Sequence, residues 1–120
     1  MSLQTFENGA VWKHACRSTA DIDQKSGAPK NFGLRDQIQS AALSIPSNIG
    51  EGKERDCDGD LVRFLRIAKG SVAELPTQLS ISRRLGVASA MIDRLVAETK
   101  EIAAMLRALI KSVPARTATS

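Results

Sequence analysis

The chain has 120 residues, enough for one continuous hydrophobic core but too few for two independent domains. Its aromatic content of 3% argues against a sheet sandwich, and its net charge of +4 permits anionic partners without requiring them. No stretch approaches the roughly 20 apolar residues of a membrane span, no signal-peptide pattern is present, and Cys16 and Cys57 have no CxxC spacing. We therefore expect one soluble, cytoplasmic domain with reduced thiols and no membrane association.

The first predicted helix spans about residues 10–26. Residues 1–9 are polar and include Gly9, so we expect an irregular start before this helix. One face is predicted to enter the core because its members repeat at helical spacing: Val11, Ala15, Ser18 and Ile22. Ser26-Gly27-Ala28-Pro29 follows and supplies the glycine and proline that commonly end a helix.

The second predicted helix, about residues 33–54, carries two stripes at helical spacing. The apolar stripe, which suits the core, consists of Leu34, Ile38, Ala42, Ile45 and Ile49. The other stripe mixes small and polar residues and consists of Gln37, Ala41, Ser44, Asn48 and Glu51. This second stripe suits a hydrogen-bonded contact with a neighbouring helix.

Pro46 lies inside this second helix. Proline removes one backbone donor and crowds the carbonyl four residues earlier, at Ala42. Because the apolar stripe resumes in phase at Ile49, we predict one continuous helix with a bend rather than a loop. The hydroxyls of Ser44 and Ser47 are candidate partners for the freed backbone groups.

The third predicted helix, about residues 59–85, follows a charged connection in which Asp58 is the candidate N-cap. Its core stripe consists of Leu61, Leu65, Ala68, Val72, Leu75 and Leu79. A second, largely polar stripe consists of Arg63, Ile67, Ser71, Glu74 and Gln78. Pro76 predicts another bend, and Gly86 stands where a left-handed C-terminal cap needs glycine.

The fourth predicted helix, about residues 89–113, has the most regular pattern. Its apolar positions alternate steps of three and four and are Ile92, Leu95, Thr99, Ile102, Leu106, Leu109 and Val113. Pro114 ends it, and residues 115–120 form a small polar tail that we expect to be disordered. Four helices with short connections predict an all-α fold, an up-down-up-down antiparallel four-helix bundle over residues 1–114.

Three short motifs occur in order along the chain: VWKHA at residues 11–15, SIPSNIGEG at 44–52 and GSVAELPTQL at 70–79. Together they resemble the VWQKA-type, SIPSNIAEG and GSLAELETQL motifs of the bacterial four helix bundle protein family. That family was first named for reading frames in intervening sequences of large-subunit ribosomal RNA genes. Two positions depart from its pattern, namely Gly50, where alanine is usual, and Pro76, where glutamate or a similar helix former is usual.

The resemblance implies an assembly, since known members of the family form pentameric rings. The family is also similar to the accessory protein of diversity-generating retroelements, a basic pentameric barrel that assists a reverse transcriptase and its RNA. That relative serves only as an analogy, because one fold carries many functions. The second stripes of the second and third helices have the blend of small and polar residues found at interfaces, which indicates self-association. Because the resemblance implies a five-membered ring, we predict a ring-like homopentamer.

The polar stripes contain our candidate seam or interface residues. They are Arg35, Gln37, Ser44, Asn48, Glu51, Arg63, Ser71, Glu74 and Gln78. Glu51 and Glu74 also raise the alternative of a pair of catalytic acids. General acid–base catalysis needs such acids in a cleft around a substrate, so we favour a hydrogen-bonded network that holds the fold or the oligomer.

No residue pattern indicates catalysis, a cofactor or a metal. His14, the single histidine, has no glutamate three residues before it, and Cys57 has no histidine close in sequence. Cys16 stands two residues after His14, a spacing that does not bring two side chains together on one face of a helix. Gly50, Gly52 and Gly70 lack the spacing of a phosphate loop, so we interpret them as glycines at close helix contacts. We therefore predict a non-enzymatic protein without a small-molecule substrate, a scaffold or accessory factor whose partner is itself.

The alternative interpretation is an accessory protein that contacts the phosphates of RNA or DNA. The candidate residues are Lys53, Arg55, Arg66, Lys69, Arg83, Arg84, Lys100, Arg107 and Lys111. Most charges of this kind only solvate a helix face. A ring would combine the positive charge of its copies into one field, and this keeps nucleic acid as the second interpretation.

Overall fold

The computed structural model describes residues 3–25, 32–87 and 89–114. Four helices account for nearly all of these residues: α1 (Leu3–Lys25), α2 (Phe32–Lys53), α3 (Asp58–Arg84) and α4 (Ser89–Ser112). Each helix packs against its neighbours in sequence, and α4 closes the set against α1. The predicted all-α four-helix bundle is confirmed, and its long axis measures 47 Å.

The core consists of the predicted apolar stripes, except that Leu34 is only partly buried, and it also includes Ala41 of the predicted polar stripe and Val62. On α1 and α2 the buried apolar residues are Val11, Ala15, Ile22, Ile38, Ala41, Ala42, Ile45 and Ile49. On α3 and α4, all the predicted apolar positions are buried. Thr99 lies within this core, and its hydroxyl donates to the Val96 carbonyl of its own helix at 2.7 Å, so its polar group is satisfied.

Two helix starts differ from the prediction. The expected irregular start is wrong, because α1 begins at Leu3 rather than near residue 10. A glycine inside a helix costs only about 1 kcal/mol, so Gly9 does not force a break. Asp58 is the first helical residue and not the N-cap, which is Cys57 with extended backbone. Asp58 and Asp60 instead place negative charge in the first turn, where the helix dipole favours it.

Helices α2 and α3 continue through their prolines. α2 is helical on both sides of Pro46, as predicted, and α3 is helical on both sides of Pro76. The bend expected at each proline stays a prediction. Both helices therefore present one continuous face to the core, in agreement with the uninterrupted apolar stripes.

The carbonyl that Pro46 deprives of its donor is satisfied from a neighbouring helix. The Thr19 hydroxyl of α1 lies 2.9 Å from the Ala42 carbonyl oxygen and 2.8 Å from that of Ala15. Ala15 has the ordinary amide donor of its own helix, whereas Ala42 lacks one because Pro46 has no N–H. We conclude that the Thr19 hydroxyl donates its hydrogen bond to the Ala42 carbonyl oxygen.

This partner was not predicted. Ser44 and Ser47 belong to α2, and no contact from either to the Ala42 carbonyl is found in the described residues. A hydroxyl on the adjacent helix is better placed because Ala42 itself faces the core. The prediction that the serines of α2 supply the bond is therefore wrong, and the bond ties α1 to α2 instead.

The end of α3 is a Schellman motif centred on Gly86. The φ of Gly86 is +103°, its amide donates to the Arg83 carbonyl at 3.1 Å, and the Val87 amide donates to the Ser82 carbonyl at 3.2 Å. The predicted glycine cap is confirmed. The predicted stop at residues 26–29 and the predicted tail at 115–120 lie outside the described residues. In the described part of the chain, no helix has both the length and the apolar character needed to cross a membrane.

Candidate interaction surfaces

A hydrogen-bonded seam joins the second stripes of α2 and α3. The Ser71 hydroxyl donates to the Ser44 hydroxyl oxygen at 2.8 Å. The Asn48 side-chain amide donates to the carbonyl and hydroxyl oxygens of Ser44, at 2.8 and 2.9 Å. Two serine side chains meet only where helix backbones are close, so this seam sets the spacing of α2 and α3. Three of the predicted seam residues are therefore brought together.

The longer polar side chains do not join this seam within one chain. Glu51 is exposed, and its carboxylate accepts a hydrogen bond from Arg55, just beyond its own helix, at 2.9 Å. Gln78 is half-buried, and its Oε1 has no hydrogen-bond partner among the described residues. The other exposed members of the predicted set are Arg35, Gln37, Arg63 and Glu74. The expected network around the two glutamates does not form among the described residues of one subunit, where Glu51 and Glu74 are both exposed.

Helix α3 exposes large apolar side chains along one stripe. Ile67 is 46% exposed, Ile81 is 44% exposed and Leu85, just after the helix, is 50% exposed. Ile67 belongs to the predicted polar stripe of α3, and Ile81 and Leu85 continue that stripe at the same spacing. We define the α3 outer stripe as Ile67, Ser71, Glu74, Gln78, Ile81 and Leu85. The sequence-based stripe stopped at Gln78 and missed its last two residues, although the same alternation of three and four reaches both.

An open apolar groove of 420 Å³ lies between α1 and α2. We call it the α1–α2 groove, and its lining consists of Cys16, Thr19, Ala20, Gln39, Leu43 and Pro46. Leu43 is 60% exposed, which makes it the most exposed large apolar side chain of the described residues. It belongs to neither predicted stripe of α2, so the sequence pattern alone did not identify it.

Four of the nine predicted nucleic-acid-binding residues line one groove between α3 and α4. Two adjoining depressions of 380 and 490 Å³ share Arg66, Lys69 and Arg107, and the second adds Lys111. We call this surface the α3–α4 basic groove. No carboxylate is found among its described lining residues, and none of the four cations has an ion-pair partner in the described part of the chain.

Two other predicted nucleic-acid-binding residues are engaged near the connection between α2 and α3. Lys53 lies over the Trp12 ring, 5.6 Å from its centroid. The Arg55 guanidinium lies 4.7 Å from the Phe64 ring centroid, and that of Arg63 lies 5.1 Å from the same point. These are cation–π distances. Phe64 is thus already covered by guanidinium groups and is poorly placed for stacking on a base.

The remaining three lie apart from the groove cations. Arg83 pairs with Asp93 and links the end of α3 to the start of α4. Arg84 is exposed at the last turn of α3, and Lys100 is exposed in the middle of α4. The nine residues therefore do not form one continuous basic surface on a single subunit.

His14 sits between α1 and α4 rather than in a catalytic cluster. Its Nε2 lies 3.9 Å from a carboxylate oxygen of Glu101, and its Nδ1 lies 3.5 Å from an Arg17 guanidinium nitrogen. Cys16 and Cys57 are half-buried free thiols. Among the residues that the structure describes, no three His, Cys, Asp or Glu side chains gather as a metal site would require.

Comparison with known proteins gives a family and a fold. A family model described as 23S rRNA-intervening sequence protein matches residues 7–108, a range that contains all three sequence motifs. The chain is also similar to a solved structure of a protein of unknown function from the S23 ribosomal protein family of Bacteroides thetaiotaomicron. That similarity has a TM-score of 0.82 and 21% sequence identity, over 88% of this chain and 99% of the other. At this identity it shows the fold alone. Curated proteins gave no match.

Proposed function

The chain belongs to the family of 23S rRNA-intervening sequence proteins, and we propose that it is a non-enzymatic, cytoplasmic bundle that assembles with copies of itself into a ring-like homopentamer and acts as a scaffold or accessory factor. The observation that carries this proposal is the α3 outer stripe. Three large apolar side chains, each close to half exposed, line up on one face of α3 beside hydrogen-bonding residues. This is the mixture expected at a protein interface.

The α1–α2 groove offers a complementary surface on another part of the bundle. The α3 outer stripe projects from a helix, whereas the groove is concave and lined by exposed Leu43. Core packing fixes both surfaces, so one chain cannot place its own stripe in its own groove. A contact between unlike surfaces of successive copies is head-to-tail, and such a contact closes into a ring when its rotation allows.

Covering the α3 outer stripe contributes part of the free energy of association. Fully burying a leucine or isoleucine side chain contributes about 1.5–3 kcal/mol, so covering the exposed half of each stripe residue contributes about 1 kcal/mol. The contribution of three such residues recurs at every interface of the ring. Ring closure adds to this, because each subunit is then held by two interfaces at once.

Light scattering after size-exclusion chromatography tests the proposal. At micromolar concentration we expect a mass near five times the 12.9 kDa of one chain. Ile81→Glu places a charge on the exposed stripe without entering the core, so it should shift the mass toward that of one subunit while circular dichroism stays helical. Ala41 is a poor probe because it is buried and a charge there would disrupt the fold itself.

Ser80→Glu is the matched control for Ile81→Glu. Ser80 is the neighbouring exposed residue on α3 and lies about 100° around the helix from Ile81. The control should keep the wild-type mass. A wild-type mass of 12.9 kDa would refute self-assembly, and an equal response of both variants would place the interface elsewhere.

A further inference from the structure

We propose that the α3–α4 basic groove binds the phosphate backbone of nucleic acid. Its four cations, Arg66, Lys69, Arg107 and Lys111, face the same cleft, and its described lining contains no acid. Like charges gathered in this way repel one another, and an anion in the groove relieves that repulsion. The local charge is therefore arranged for an anionic ligand.

The length of the groove fits a chain of phosphates. On α4 its lining extends from Ala103 to Lys111, about 12 Å of helix at 1.5 Å per residue. Along the axis of duplex DNA each strand carries a phosphate about every 3.4 Å, so three to four phosphates of one strand lie within that axial distance. Four cations along such a track match a strand better than a single small anion.

Gly70 supports a close approach of the ligand to α3. It lines the groove, and a Cβ built there would meet no atom within 4 Å, so packing in the described part of the chain does not require glycine. The interpretation of Gly70 as a contact glycine is therefore wrong within the subunit. Glycine is less favourable than alanine inside a helix. Its missing side chain leaves room for a phosphate beside Arg66 and Lys69.

The lining favours phosphates over bases and over a lipid surface. Guanidinium groups bind phosphate oxygens through two hydrogen bonds, and lysine adds a point charge. The described lining residues include no aromatic ring for stacking and no side-chain amide for reading base edges. They also include no large exposed apolar side chain that would insert into a bilayer. Binding should therefore depend little on sequence.

This groove is separate from the α3 outer stripe. Arg66 and Ile67 are adjacent residues, so their side chains leave α3 about 100° apart. A nucleic acid in the groove and another subunit on the stripe therefore occupy different faces of the helix. Nucleic acid binding does not require assembly, and the two properties can be tested independently.

Fluorescence anisotropy with a labelled duplex, prepared once as RNA and once as DNA, tests the groove. Four phosphate contacts predict that the logarithm of affinity falls with the logarithm of salt concentration with a slope of about −3.6. Lys69→Gln with Arg107→Gln removes two contacts, which should make this slope less steep by about 1.8 and weaken binding at about 0.1 M salt by about 60-fold. The RNA and DNA arms show which backbone binds more tightly.

Lys13→Gln with Arg94→Gln is the matched control. It also removes one lysine and one arginine, both exposed and outside the groove, and gives the same net charge. This variant should bind within a few-fold of wild type. An equal loss in both double variants would overturn the proposal, because it would show a diffuse attraction. Binding to phosphatidylserine vesicles without binding to either nucleic acid would also overturn it.

Gly70→Glu provides a second variant that does not depend on removing a cation. Glutamate forms helices better than glycine and has open space at this position, so the fold should be retained. Its carboxylate should weaken nucleic acid binding by at least 10-fold, whereas Gly9→Glu, at another open helical glycine, should have little effect. The mass of Gly70→Glu should remain that of wild type, which separates this result from a failure of assembly. Unchanged binding by Gly70→Glu would refute the groove as the site.

Discussion

Replacing Thr19 with valine removes the hydroxyl that serves the Ala42 carbonyl and keeps the side-chain shape nearly unchanged. Ala42 is 1% exposed, so water cannot readily replace the hydroxyl, and Pro46 offers no amide. A buried carbonyl left without a donor costs about 1–3 kcal/mol. With an unfolding entropy of about 2.1 cal/mol/K per residue, this loss should lower the Tm by about 4–12 °C.

A double-mutant cycle with Pro46→Ala identifies the cause of that loss. In the alanine background the amide of residue 46 can bond the Ala42 carbonyl, so Thr19→Val should cost less than about 0.5 kcal/mol there. Urea unfolding followed by circular dichroism gives the free energy of unfolding of all four proteins. They are compared at one protein concentration, because assembly contributes to apparent stability.

Thr99→Val is the control for this cycle. Thr99 is buried, whereas Thr19 is half-buried, and the Thr99 hydroxyl bonds the Val96 carbonyl, which has the amide of Lys100 as its ordinary helical donor. The cost of this control substitution should be the same with and without Pro46. If Thr19→Val costs as much in the alanine background as in the wild type, the hydroxyl does not replace the missing amide.

Two glycines of α2 should respond in opposite directions to alanine, as read by urea unfolding. A Cβ at Gly52 would lie 3.0 Å from Leu61 Cδ1, so Gly52→Ala should destabilise the fold by about 1–3 kcal/mol, and a neutral result would show that this contact is not tight. At Gly50 a Cβ would make an ordinary 3.7 Å contact with Trp12 Nε1, so Gly50→Ala should stabilise by about 0.5–1 kcal/mol, and a loss of stability would show that this contact is too tight for a methyl group. Gly86→Ala should destabilise by about 1–2 kcal/mol because its φ of +103° is left-handed, and a gain in thermal stability would contradict that conformation.

The core could be predicted from the sequence because burial follows helical periodicity. Each apolar stripe was visible as apolar residues three or four positions apart, and these residues are buried where the helices pack together. The family resemblance carried by three motifs is confirmed for the same segments. The start of α1 was missed because polar residues around Gly9 are compatible with a helix and with a loop, and local composition does not distinguish the two.

The polar contacts between helices could not be predicted in the same way. Thr19 and Ala42 are 23 residues apart, and their contact depends on how far each helix is rotated toward the other. The same holds for Ser44 and Ser71, which are 27 residues apart, and for Glu51, which shares the predicted stripe of Ser44 but is exposed. Periodicity assigns a residue to a face, whereas a hydrogen bond requires a position within a few tenths of an ångström.

The α3–α4 basic groove could be predicted only in part from the sequence. Its cations were identified one by one from the sequence, but their meeting depends on the antiparallel register of α3 and α4. The Schellman motif at Gly86 and the pair between Arg83 and Asp93 help to set that register. A sequence pattern that aligned the two helices at this turn would have placed Arg66 opposite Arg107 and Lys111.

Because of the bond from Thr19 to Ala42, substitutions at residues 19 and 46 depend on each other in evolution. Pro46 belongs to one of the motifs that mark the family, yet the Ala42 carbonyl that it leaves without an amide donor is satisfied only while a hydroxyl is present at residue 19. A lineage that loses Pro46 is released from selection for that hydroxyl, whereas a lineage that loses the hydroxyl first passes through a destabilised intermediate. The order of substitutions is therefore constrained, and related chains that keep the proline should carry threonine or serine at the position of Thr19.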